Sequence, residues 1–157
     1  MTPTERAVRV VADADVLAAD LLCGGLARDA LDVVRAHAWV TLVASDPLLD
    51  DAAGVIETLA DATLAADWRE RVEAEATLVD HPPEDHPALA AAYRGEAAHV
   101  LSLDDRLLGA TAGAALRARV ETSVKEPRSF ARLFDPETMY EATFDEPYPG
   151  PDRDPRA

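Results

Sequence analysis

Two aspartates each close a short apolar run: Val10-Val11-Ala12 stops at Asp13, and Val100-Leu101-Ser102-Leu103 stops at Asp104. A carboxylate just past a buried strand is an oxygen donor held at a fixed place, at the sheet edge where open α/β folds bind ligands. Carboxylates gathered in one crevice repel each other until a cation sits among them. Hard oxygen donors of this kind suit Mg2+ or Mn2+, which keep part of their water shell and bridge phosphate oxygens. A metal-bound water beside a phosphate polarised by the same ion is the chemistry of phosphodiester hydrolysis. Asp85, just before Pro87, and one of Asp50, Asp51 or Glu57, after Ser45, stand where they can face the same edge. Each also has a plain structural reading, because aspartate is a strong helix cap and is most often exposed.

Around these acids stand polar groups with two readings each. Asp15 is either an acceptor that orients a ligand or a helix cap. Ser102 either bonds a phosphate or a metal-bound water, or closes a turn at the strand end. Ser45 reads as a cap for the helix that Pro47 opens. His81 and His86 flank the expected cleft and read as solvated, and His37 and His99 read as caps of element ends. Cys23, next to Gly24-Gly25, reads as core filler. As the only cysteine it excludes an intramolecular disulfide and a thiolate-rich zinc site.

The elements that must position these residues follow from the hydrophobic pattern. Strands are expected at 8–12, 39–43, 77–79 and 99–103, with an edge strand over 119–124. Helical spacing covers 17–22, 27–37, 47–60, 62–76, 87–95, 107–117, 127–134 and 136–142. Strands alternating with helices predict an α/β fold with a mainly parallel sheet. The chain length of 157 residues suits one domain. Residues 1–142 form that domain, and 143–157, rich in proline and acids, read as a flexible tail. No run is long and apolar enough for a transmembrane helix, and the charged N-terminus lacks an apolar signal core, so a cytoplasmic location is expected.

The formal net charge is −15, with 30 acidic against 15 basic residues, of which only Lys125 is lysine. This composition resembles that of cytoplasmic proteins from salt-accumulating microbes, a halophilic pattern. At low salt such a charge opposes a polyanionic ligand, but at molar salt the Debye length is about 3 Å and the global field hardly reaches. The surplus is concentrated in residues 1–80, which carry −10, whereas 81–142 carry only −3. Arginines of that second stretch, Arg94, Arg106 and Arg128 among them, are the candidate contacts to an RNA backbone.

Read in order, these segments resemble the motifs of PIN-domain nucleases. Val10-Val11-Ala12-Asp13-Ala14-Asp15-Val16-Leu17 is similar to the opening motif, and Ser45-Asp46-Pro47-Leu48-Leu49-Asp50-Asp51 to the second. Asp85-His86-Pro87-Ala88-Leu89-Ala90-Ala91-Ala92 is similar to the third, an Asp opening an Ala-rich helix. His99-Val100-Leu101-Ser102-Leu103-Asp104-Asp105-Arg106-Leu107-Leu108 matches the fourth, and Val124-Lys125-Glu126-Pro127-Arg128-Ser129-Phe130 the closing strand and helix. The likeness spans about residues 8–134. It implies a three-layer sandwich and a Mg2+- or Mn2+-dependent endoribonuclease, often the toxin of a toxin–antitoxin pair. By motif, Asp13, Asp51, Asp85 and Asp104 take the four acidic positions. Asp13, Asp85 and Asp104 are then the metal ligands, with Asp15, Ser102, Asp50 and Asp105 in support. The departure is the second motif, where Asp50-Asp51 stands in place of the usual Glu, one methylene longer.

RNA is the expected substrate, with an antitoxin protein and a second copy of the chain as further partners. A non-catalytic module of the same fold that binds RNA or protein is the alternative. Asp13-Ala14-Asp15-Val16 and Asp104-Asp105 also resemble the acidic motifs of haloacid-dehalogenase-type phosphatases. That chemistry needs a Lys or Arg between the two motifs; the only lysine follows the second, and Arg94 would have to substitute.

Overall fold

The computed structural model describes residues 8–83, 85–108 and 122–155. The middle of the stretch read as helix 107–117 and edge strand 119–124 lies outside the described residues. In chain order the described elements are β1 (Arg9–Ala12), α1 (Ala14–Leu22), α2 (Gly25–Arg35), β2 (Thr41–Ala44), α3 (Asp46–Leu59) and α4 (Ala62–Glu75). Then follow β3 (Thr77–Leu78), α5 (Pro87–Gly95), β4 (His99–Leu101), α6 (Asp105–Leu108), β5 (Ser123–Lys125), α7 (Pro127–Leu133) and α8 (Pro136–Phe144).

The five strands form one all-parallel sheet in the order β3-β2-β1-β4-β5. A parallel sheet needs a crossover between successive strands, and helices supply those crossovers and cover both faces. Val43 of β2 points to α5, so closely that a Cβ on Gly95 would lie 2.5 Å from Val43 Cγ1. Leu42, on the opposite face by strand alternation, shares a cavity wall with Leu17 of α1, Leu31 of α2 and Trp68 of α4. The architecture is a three-layer α/β sandwich, as expected. Its central strands are the most deeply buried: Val10, Val11, Val100 and Leu101 are all fully enclosed.

Local chemistry sets the element ends. Ser45 caps α3 by accepting from Leu48 N–H at 3.3 Å, and Asp61 caps α4 by accepting from Leu64 N–H at 2.7 Å. Gly24 and Gly25 take φ of 71° and 59°, the left-handed conformation that lets α1 turn straight into α2. β4 is shorter than the run 99–103, because Ser102 leaves the strand to make side-chain bonds. Asp85 does not cap α5: His86 holds the cap position, with no side-chain bond.

The C-terminal stretch read as a flexible tail begins inside α8 and continues along α2. Asp152 N–H and Arg153 N–H both bond Ala36 O, at 2.9 and 3.1 Å, and Asp152 Oδ1 accepts from Ala38 N–H at 2.7 Å. These bonds satisfy groups left open where α2 ends. The sequence reason is aromatic. All three phenylalanines, with Trp39, Tyr140 and Tyr148, form one linked series of ring contacts, Trp39 meeting Tyr140 at 5.3 Å and Phe134 at 6.4 Å. His37, buried rather than capping from solvent, donates from Nδ1 to Val33 O, so its Nε2 accepts the Tyr148 hydroxyl at 2.5 Å. Tyr148→Phe removes the donor to a buried nitrogen. We expect about 1 kcal/mol lower stability in urea unfolding and faster tryptic cleavage at Arg153.

Candidate functional site

The strand order places β1 beside β4, where the chain direction across the sheet reverses. This is the switch point at which a crevice opens beyond the carboxyl ends of the strands. Asp13 follows β1 directly, its N–H bonded to Leu101 O at 2.8 Å. Its Oδ1 accepts from Ala14 N–H at 2.8 Å and its Oδ2 from the Ser102 hydroxyl at 2.9 Å. Ser102, fully buried, also accepts from Asp104 N–H at 3.0 Å. One hydroxyl thus ties the loop after β4 to the carboxylate after β1. The turn-closing reading of Ser102 is met here, and its hydroxyl also orients the Asp13 carboxylate, a role its place in the sequence did not indicate.

Asp15 sits in the first turn of α1 and reaches across to accept from Leu103 N–H with Oδ2 at 3.2 Å. Its Oδ1 is buried without a hydrogen-bond partner. Burial, then the Asp13 charge and more weakly that of Asp104, push its carboxyl above the ordinary value of 3.8, against the lowering effect of the Leu103 and Val16 N–H groups. Asp104 moves the other way. Arg106 donates to it from Nε at 3.2 Å, from Nη2 at 3.0 Å and from its backbone N–H at 2.9 Å, and this holds the carboxyl below the ordinary range.

Asp13, Asp15 and Asp104 line a cleft of about 400 Å3, together with His86 and an apolar wall that includes Leu22, Val55 and Leu59. Cys23 also lines it and is exposed, not core filler, because it follows the last residue of α1. The other expected acids stand elsewhere. Asp50 pairs with Arg69, which also binds Asp46 and Glu73, so this acid pins α3 to α4. Asp51 is exposed on α3, Asp85 is exposed with its N–H on Pro82 O, and Asp105 is exposed in the first turn of α6; none lines the cleft. Arg94 and Arg128 are exposed. Arg106 is spent on Asp104 while most of its side chain stays in solvent.

Sequence reasoning passed over three features. Val55 and Leu59, four apart and exposed on α3, were a legible signal of an apolar wall. The reach of Asp15 to Leu103 had no signal in linear spacing. Nor did the bond between Ser45 and His81: His81 Nδ1 donates to Pro82 O, so Nε2 accepts the Ser45 hydroxyl at 2.7 Å. Ser45 is fully enclosed, which removes it as a nucleophile toward an outside substrate.

Among the described residues, no three His, Cys, Asp or Glu side chains already stand as a metal shell. The donor chemistry nonetheless fits one cation: an orphaned buried carboxylate oxygen on Asp15, raised by the neighbouring Asp13 charge. The sign of the linkage is testable. Folding favours protonated Asp15, so its contribution is fully present below pH 3.8 and is lost as pH rises through the raised folded value. Asp15→Asn is therefore expected to raise the melting temperature at pH 7, with the gain shrinking toward pH 3.8. Mn2+ should raise the melting temperature of the unsubstituted chain and leave the variant unmoved.

No helix among the described residues is long and apolar enough to cross a membrane. No curated protein and no solved structure matches the chain. A model of the family DUF7384, a family of unknown function, matches residues 4–156, and the chain belongs to that family.

Proposed function

We propose that this protein is a divalent-metal-dependent phosphodiesterase acting on RNA. The observation that carries the reading is the meeting of Asp13, Asp15 and Asp104 at the switch point of a parallel sheet, with one carboxylate oxygen buried and unpartnered. Asp13 and Asp15 would hold the ion, with Asp104 within electrostatic reach. When bound, such an ion supplies a nucleophilic water and polarises a phosphoryl oxygen. The protein's own part is positioning. Ser102 fixes the carboxylate of Asp13 and the loop that carries Asp104. Arg106 holds the Asp104 carboxylate in place through Nε and Nη2. The apolar wall of Val55 and Leu59 gives an unpaired base an apolar surface to lie on.

The test is cleavage of single-stranded RNA by purified protein, with and without Mn2+, at low and molar salt. Cleavage that requires Mn2+ supports the reading; a chain inert toward RNA in every metal and salt condition overturns it. One observation favours a second reading, a non-catalytic binding module: Asp104 is already neutralised by Arg106. Titration calorimetry with no heat of divalent-ion binding would select that reading.

A further inference from the structure

Lys125 is the only lysine in a chain that otherwise takes its basic residues from arginine. Arginine keeps its proton at every physiological pH, whereas lysine releases its proton when desolvated. Lys125 ends β5 in register with Leu101 of β4, and Ser123 pairs with His99. Strand alternation therefore puts Lys125 and His99 on one face of the sheet. Both line a cavity of about 170 Å3, walled by Phe134 and Met139, with Asp135 and Thr138 from the start of α8.

The chain has 30 acidic side chains, yet the Lys125 amine has no hydrogen bond or ion pair among the described residues. Asp135, the acid in the cavity wall, is occupied as the α8 cap: it accepts from Glu137 N–H at 3.2 Å and from the Thr138 hydroxyl at 2.6 Å. The Ser123 hydroxyl is directed to Ala98 O, so His99 Nδ1 is the donor to Ser123 Oγ at 3.3 Å and Nε2 carries the lone pair. Burial and the Lys125 charge hold this imidazole down at about 4, which keeps it neutral at pH 7. Burial also lowers Lys125 itself. Among the described residues, the groups that line the cavity with the amine are thus a neutral imidazole, a capped carboxylate, a bonded hydroxyl and apolar side chains.

We propose that Lys125 is a nucleophilic amine that captures small uncharged aldehydes as a Schiff base in this cavity. The free amine adds to the carbonyl carbon, the carbonyl oxygen takes up a proton, and the resulting hydroxyl leaves as water. Amine and aldehyde give imine and water, with no change of oxidation state. His99, whose imidazole lines the same cavity and keeps one ring nitrogen unprotonated, is the group that would carry the proton from nitrogen to the departing oxygen. The volume equals about five or six liquid-water volumes, which suits an aldehyde of about four carbons. The Asp135 carboxylate opposes a ligand that carries its own carboxylate. This site is separate from the acid cleft, and its test does not depend on RNA cleavage.

The experiment is reductive alkylation of the full chain at pH 7 with limiting butanal and cyanoborohydride, followed by peptide mapping. The chain has two kinds of amine, Lys125 and the N-terminal α-amino group, so the adducts separate cleanly. Lys125 is expected to react about tenfold faster than the side chain of Nα-acetyl-lysine amide, and than Lys125 in the urea-unfolded chain. Lys125→Arg removes that adduct and leaves the α-amino one, and His99→Gln slows its formation. Equal rates in folded chain, unfolded chain and model compound overturn the proposal. A rate advantage shared in full by glyoxylate overturns the assigned ligand class.

Discussion

Asp13→Asn is expected to lower Mn2+-supported RNA cleavage by about 100-fold. The substitution is nearly isosteric. The amide oxygen can still accept from Ala14 N–H, and the Ser102 hydroxyl can turn to meet the amide nitrogen, so the two-strand junction survives. What changes is the charge. Asp13 is the carboxylate closest in effect to Asp15, and its removal halves the anionic character of the pair that would draw in a cation. The folded variant should melt no lower than the unsubstituted chain at pH 7, because a source of repulsion has gone. Asp85→Asn and Asp51→Asn are the matched controls. Both acids are exposed and neither lines the cleft, so cleavage should stay within about twofold. Cleavage retained in Asp13→Asn, or lost equally in Asp85→Asn, would sink this assignment of the acids.

Gly95→Ala is expected to destabilise the fold by about 2 kcal/mol, read as a lower urea midpoint with unchanged slope. Helix propensity alone argues the opposite sign, since alanine in place of glycine favours a helix by up to about 1 kcal/mol. Sterics win here. The added Cβ would stand 2.5 Å from Val43 Cγ1 and 3.4 Å from two more atoms of that side chain. Val43 is fully buried in β2, and a β-branched side chain has little rotamer freedom with which to move aside. The double variant Gly95→Ala with Val43→Ala should recover part of the loss, a coupling of about 1 kcal/mol. Greater stability in the single variant would mean that α5 does not approach β2 this closely.

The two predictions differ in how far the sequence led toward them. Asp13 and Asp104 were legible because an apolar run that stops at an acid places the acid at or just past a strand end; Asp13 follows β1 directly, whereas Asp104 lies in the loop after β4. The choice among the remaining acids was not. Asp15 lies in the first turn of α1, Asp51 inside α3 and Asp85 just before α5, and an acid in or beside a helix reads alike whether it faces the cleft or solvent. Asp15 is selected by a bond to the Leu103 backbone, 88 residues away in sequence. Asp50 is removed by an arginine on the next helix. Arg106, read as an RNA contact, turns back two residues to its own loop, a local bond that spacing allowed but did not demand.

By itself, the sequence determined the order and type of the elements, the parallel sheet and the two aspartates that follow β1 and β4. These depend on period and on local capping, which act within a few residues. Tertiary structure alone decided which strands are neighbours, and hence that the acids after β1 and β4 share one crevice. It also decided that Asp15 completes their cluster, that the C-terminal segment binds back along α2 through Tyr148 and His37, and that among the described residues the single lysine has no carboxylate partner. Each of these is a meeting of groups far apart in the chain, fixed by how helices and loops pack on the sheet, and no local pattern encodes that distance.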